Sequence, residues 1–139
     1  MDEKNKQYAY FTVVGSFDPA DITARMRLEP TLSWKQGDIS PQTQRERRHS
    51  RWSLRSRLPD SDELEQHIRD VLLQLDAGSG NVRSISREFG GCMQLVAYFY
   101  SEYPGLHFDR EIVEGLAKYG LEVDFDIYGL YSHRREDTA

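Results

Sequence analysis

Two apolar runs, Tyr8-Ala9-Tyr10-Phe11-Thr12-Val13-Val14 and residues 92–100, constrain the fold more than any other feature of the sequence. Both are rich in aromatic and β-branched residues, and both are bounded by turn formers, Gly15-Ser16 after the first and Gly90-Gly91 before the second. Such runs read as strands of a sheet. The first reads as covered on both faces. In the second, Met93, Leu95, Ala97 and Phe99 alternate with Gln94, Val96, Tyr98 and Tyr100, so each set occupies its own face.

Two further segments alternate with period two but carry charge on one side. Trp52, Leu54 and Leu58 oppose Arg51, Ser53, Arg55 and Arg57, while Leu121, Val123, Phe125 and Ile127 oppose Glu122, Asp124, Asp126 and Tyr128. One-sided charge is cheap at a sheet edge and discourages edge pairing, so these two strands are expected to flank the apolar pair.

Helices intervene. Asp18-Pro19 is a cap followed by proline at the first helical position, with Ile22 and Met26 on one face and Pro30 beyond. Asp60-x-x-Glu63 resembles a capping box ahead of Leu64, Ile68, Val71, Leu72 and Leu75, a stripe that Gly78 ends. Val82, Ile85 and Phe89 predict a further helical turn or two, and Asp109 caps a helix carrying Ile112, Val113, Leu116 and Ala117 up to Gly120. The expected fold is therefore α+β, with a single antiparallel or mixed sheet of four to five strands and helices mainly on one face. An echo between Tyr10-Phe11…Phe17-Asp18 and Tyr98-Phe99…Phe108-Asp109 suggests two related halves, a ferredoxin-like arrangement with an extra helix between them.

The length of 139 residues suits one domain, expected over 8–130, with residues 1–7 and 131–139 as flexible ends. Eighteen basic against 23 acidic residues, a net charge of -5, weigh against nucleic acid as the partner. The single cysteine, Cys92, excludes an internal disulfide and a cysteine-based zinc site and fits a reducing compartment. No apolar stretch approaches a signal or membrane-spanning length, so a cytoplasmic protein without membrane contact is expected.

Several motifs in order carry a resemblance: Tyr10-Phe11-Thr12-Val13-Val14-Gly15 with Phe17-Asp18-Pro19, Glu29-Pro30-Thr31 with Trp34-x-x-Gly37-Asp38, Trp52-Ser53-Leu54, and Asp124-x-Asp126-Ile127-Tyr128. From about Tyr8 to Tyr128 the chain resembles a small bacterial family, the domain of unknown function numbered forty-two seventy-nine. The resemblance implies neither an activity nor any catalytic or binding residue.

Chemistry-bearing residues are sparse. His49, His67, His107 and His133 are dispersed and lack metal-ligand spacing, Cys92 begins a strand rather than a helix, and the glycine pairs lack a phosphate-loop pattern. Neither a metal nor a cofactor is expected, and binding is favoured over catalysis. If Ala9, Phe11 and Val13 face the helices, then Tyr8, Tyr10, Tyr98, Tyr100 and Tyr128 crowd the opposite sheet face, with Arg51, Arg55 and Arg57 along one edge and Glu122, Asp124 and Asp126 along the other. The simplest expectation is that the helix over 61–77, or a second copy of the chain, covers this face. The arginines at 45, 47, 48, 51, 55 and 57 are expected to pair with Asp60, Asp62, Glu63 and Glu65. The long segment 29–50 is either functional or mobile, with a short strand over 31–35. Trp34 within it is expected to plug the core edge; the alternative is a pocket wall with Asp38 as polar contact. The candidate binding residues are Tyr10, Trp34, Asp38, Arg51, Arg55, Tyr98 and Tyr100. The function expected first is a non-enzymatic module that binds a protein partner, by analogy with inhibitors or immunity factors, or a second copy of itself; second is a small-ligand or nucleotide-binding domain.

Overall fold

Period-two alternation builds five strands and helical periodicity four helices in the computed structural model, which describes residues 4–130. In chain order these are β1 (Lys6–Gly15), α1 (Pro19–Met26), β2 (Leu32–Trp34), β3 (Ser50–Arg55), α2 (Leu64–Asp76), α3 (Val82–Phe89), β4 (Cys92–Phe99), α4 (Arg110–Lys118) and β5 (Glu122–Gly129). They form one mixed sheet in the order β2-β3-β1-β4-β5, antiparallel throughout except for the parallel pair β4–β5. The chain is thus α+β. No helix among the described residues is long and apolar enough to cross a membrane.

The two apolar strands are the central neighbours β1 and β4, as their composition requires. One face of the sheet is the core: Ala9, Phe11 and Val13 of β1, Trp52 and Leu54 of β3, and Met93, Leu95, Ala97 and Phe99 of β4 lie buried against Ile22 and Met26 of α1, the Leu64–Leu75 stripe of α2, Ile85 of α3 and Ile112 of α4. β1 is therefore covered on one face, not two; Tyr8 and Tyr10 on its other face are half-buried.

Four sequence expectations need correction. The ferredoxin-like arrangement is not seen, because it splits each strand-helix-strand unit by an inserted strand. Here β4 and β5, joined through α4, are direct neighbours, and so are β1 and β3, joined through α1 and β2. β3 is not an edge, because β2 pairs along it from Leu32↔Ser53 to Trp34↔Arg51. Asp60 does not cap α2; Glu63 holds the extended cap position without a side-chain bond, while Asp60 binds Arg55 at 2.9 Å and accepts from the Gln7 backbone N–H through its carbonyl. Finally, Lys6 and Gln7 belong to β1, and the Gln7 side chain accepts from the N–H of Leu64. Residues 1–3 and 131–139 lie outside the described residues.

The other caps are as expected. Asp18 accepts from Ala20 N–H at 3.0 Å and Asp109 from Ile112 N–H at 3.0 Å, each satisfying an orphan donor of the first turn. Close packing of α1 on the α2–α3 turn requires Gly78, where a Cβ would lie 2.6 Å from the Met26 carbonyl oxygen.

Candidate functional site

All four helices contribute to the core on one side of the sheet, so the long helix α2 does not cover the other side. That second face is bare among the described residues, and strand register fixes its layout. Arg55, Tyr10, Gln94 and Asp124 form one row across β3, β1, β4 and β5; Leu32, Ser53, Thr12, Cys92 and Glu122 form the next. Tyr8, Val96 and Asp126 form a third row, and Lys6, Tyr98 and Tyr128 a fourth. Arginines therefore stand on the β3 side and carboxylates on β5, with tyrosines between them.

The β3 side is concave. Tyr8, Tyr10, Thr31, Leu32, Trp34, Arg51, Ser53 and Arg55 enclose about 380 Å³. Thr31 anchors its rim, accepting from the Arg55 backbone N–H at 2.8 Å through its hydroxyl and donating its own N–H to the Ser53 carbonyl. The Arg55 guanidinium lies 3.8 Å from the Tyr8 ring centroid and pairs with Asp60. Arg51 donates to the Thr12 hydroxyl at 3.2 Å, and its buried Nε has no hydrogen-bond partner among the described residues. The floor beneath is polar and tight, Thr12 and Ser53 sharing a 2.9 Å hydroxyl contact.

Trp34 walls this concavity rather than plugging the core, whose tryptophan slot is filled by Trp52. Its indole N–H donates to the His49 carbonyl at 3.0 Å, and the Arg47 guanidinium stacks 3.7 Å from its ring centroid. Such a cation–π contact is worth about 0.5–2 kcal/mol depending on desolvation. Behind it the segment 35–49 is pinned as an irregular hairpin, with Arg47 N–H to Asp38 carbonyl at 2.7 Å, Gly37 N–H to Arg47 carbonyl at 2.9 Å and an Ile39↔Glu46 bridge. On its outer side Trp34, Arg45, Arg47, Arg48 and Arg51 border a second hollow of about 340 Å³. Arg45, Arg47, Arg48 and Arg51 form no ion pair with a described carboxylate; the expected pairing holds only for Arg55 with Asp60, and Arg57 turns to the helix side and binds Asp70.

The structure thus brings Tyr10, Trp34, Arg51 and Arg55 together and leaves three candidates apart. Tyr98 lies on the same face but stacks on Tyr128, with ring centroids 4.9 Å apart. Tyr100 lies past the end of β4, 6.0 Å from the Lys6 ammonium. Asp38 is consumed by its own turn, its carboxylate accepting from Lys35 N–H at 2.9 Å. The candidate set from the sequence omits Tyr8, Thr31, Leu32 and Ser53, which line the concavity, and Arg47, which stacks on its wall. The Leu32-x-Trp34 alternation links Leu32 to whichever face Trp34 takes, whereas Thr31 and Arg47 reach the site only through strand pairing and the 35–49 hairpin.

Cys92 sits half-buried on the same face. Burial, reinforced by Asp124 and Glu122, pushes its thiol up to about 11. Because the thiolate is the nucleophile, alkylation by iodoacetamide at neutral pH is expected to run on the order of a hundredfold slower in the native protein than in urea. Intact-mass kinetics check this; equal rates in the two states would show that the thiol is neither buried nor held protonated.

A smaller cleft of about 210 Å³ between α2 and α4 is lined by Arg69, Asp76, Lys118 and Tyr119. Its charges are already satisfied locally: Arg69 by Asp109, and Asp76 by Lys118 and Tyr119. The bare sheet face is the surface with charges and rings still open to a partner.

No curated protein and no solved structure matches the chain. The family described as Domain of unknown function (DUF4279) matches it over residues 5–130, from the residue before β1 to the residue after β5. The chain belongs to the DUF4279 family.

Proposed function

We propose that this protein is a non-enzymatic cytoplasmic binding module that engages a protein partner through the bare face of its sheet. One observation carries the reading: four helices packed on one side leave an aromatic floor, flanked by Arg51 and Arg55 on one side and by Asp124 and Asp126 on the other. Tyrosine, tryptophan and arginine are the residues that most often anchor protein interfaces, because they bury large area at small entropic cost. Inhibitors and immunity factors offer an analogy for a small module of this kind.

A second reading is favoured by the concavity itself. Its volume falls at the lower end of the range of small-molecule sites, and two arginines beside Tyr8, Tyr10 and Trp34 suit a planar anion such as a nucleotide.

The test replaces Tyr10 and Arg55 together by alanine. Each is partly exposed, so the domain stays folded, and loss of two anchors is expected to weaken partner binding by about a hundredfold or more. Affinity capture from native cells followed by mass spectrometry, comparing the parent chain with the double variant, reads this out. A stoichiometric partner retained by the variant would sink the bare-face assignment, whereas a chain recovered alone but stabilised thermally by nucleotides would favour the second reading.

A further inference from the structure

We infer that the partner on the bare face is a second copy of this chain, docked face to face about a two-fold axis parallel to the strands and lying between β1 and β4. This rests on the bare-face reading above and names its occupant. Register supplies the geometry. An axis along the strands keeps every row at its own level while exchanging left and right, so β3 of one protomer lies over β5 of the other. Arg55 and Asp124 occupy the same row at opposite sides, so Arg55 of each copy meets Asp124 of the other. In the same row Tyr10 meets Gln94. Arg51 stands two residues along β3 from Ser53, whose row ends at Glu122, a distance of about 7 Å that an arginine side chain spans.

The competing arrangements are charge-frustrated. A two-fold running across the strands stacks β3 on β3 and β5 on β5, arginine against arginine and carboxylate against carboxylate, which selects against it. Antiparallel pairing of the two β5 edges brings Glu122, Asp124 and Asp126 of both copies onto one strip, with facing residues only about 5 Å apart. The face-to-face mode alone matches opposite charges twice over, as an isologous contact does. Sheets packed this way sit about 10 Å apart and rotated by about 30°, a gap of the depth that the tyrosine layer fills. Arg55 uses one nitrogen for Asp60 and keeps further N–H donors for the second carboxylate.

Complementary charge reversal tests this. In light scattering coupled to gel filtration, the parent chain is expected at twice the mass of one chain. Arg51→Glu with Arg55→Glu makes both sides of the face acidic, Glu122→Arg with Asp124→Arg makes both basic, and each double variant is expected at the single-chain mass. Mixed one to one, the two variants restore the doubled mass as a heterodimer. Far-UV circular dichroism establishes that each is folded; Glu122 and Asp124 are exposed on β5, so their variant tests the contact even where the arginine variant is lost. A parent chain that stays monomeric at high concentration overturns the inference, as does a dimer indifferent to either reversal or a mixture that stays monomeric. A monomeric parent that still captures another protein in a Tyr10- and Arg55-dependent way leaves the bare-face reading standing, whereas a dimer indifferent to both the reversals and the Tyr10/Arg55 double change removes both.

Discussion

Trp52→Ala is expected to cost about 3–5 kcal/mol, and Trp34→Ala about 1 kcal/mol or less. Trp52 is fully buried: its ring meets Phe11 edge-on at 6.0 Å, and its indole N–H donates to the Thr23 hydroxyl of α1 at 3.0 Å. Truncation removes the transfer energy of the ring, opens a cavity between β3 and α1, and leaves the Thr23 hydroxyl without that donor. A domain holds a net stability of only about 5–15 kcal/mol, so the variant would be partly unfolded on warming. Trp34 is half-buried on the opposite face, and its removal forfeits the Arg47 stack, a looser Arg51 contact at 5.4 Å and one hydrogen bond at the surface. Urea unfolding followed by circular dichroism separates the two. Equal losses would mean that Trp34 also belongs to the core, as its residue type alone implies.

The two tryptophans show where sequence stops being legible. Trp52 sits in an alternating segment whose other members are Leu54 and Leu58, so its face is readable; Trp34 sits in a three-residue strand, too short for periodicity to assign a face. Within elements the patterns carry through, because burial follows side-chain period: the stripe Leu64, Ile68, Val71, Leu72 and Leu75 is buried as spaced. Between elements they fail, because pairing is non-local. Charge on one face of β3 reports a wet face, and it is silent on whether the strand's backbone edge is paired, which β2 does from a distant stretch of chain. The parallel β4–β5 pair was hidden for the same reason. Asp60 illustrates competition: its spacing to Glu63 fits a capping box, yet Arg55 takes its carboxylate and the helix starts after Glu63. The bare face was legible as a tyrosine set from alternation alone, whereas the concavity needed β2 to bring Trp34 beside Tyr10 and Arg55.

Acid is expected to lower the stability of the domain in two steps, one setting in below about pH 6.5 and one below about 3.8, governed by His67 and Asp70 on adjoining turns of α2. His67 is fully buried, with Nδ1 2.5 Å from the Ser56 hydroxyl and Nε2 lacking a hydrogen-bond partner among the described residues. Burial disfavours the imidazolium and outweighs the pull of Asp62 and Asp60, so its pKa falls below the ordinary 6.5. Between the lowered value and 6.5 the unfolded chain binds more protons than the folded one. His67 therefore contributes its full stability above about pH 6.5 and loses it as pH falls toward the folded pKa, with a slope of up to about 1.4 kcal/mol per pH unit. For Asp70, burial pushes the carboxyl up, but bonds from the Arg57 side chain and backbone N–H, with Gln74 assisting, outweigh it and hold the group below its ordinary 3.8. Its contribution is complete above the unfolded value and is lost only as pH falls through the lower folded one. His67→Gln is expected to flatten the first step and leave the second, whatever its own stability at neutral pH, because glutamine does not titrate. Asp70→Asn removes the second step and lowers stability at neutral pH by about 1 kcal/mol, since the Arg57 guanidinium left behind is solvated and the amide oxygen still accepts from the Arg57 backbone N–H. Urea midpoints across the acid range measure both slopes, and a first step that persists in His67→Gln would assign it to another group.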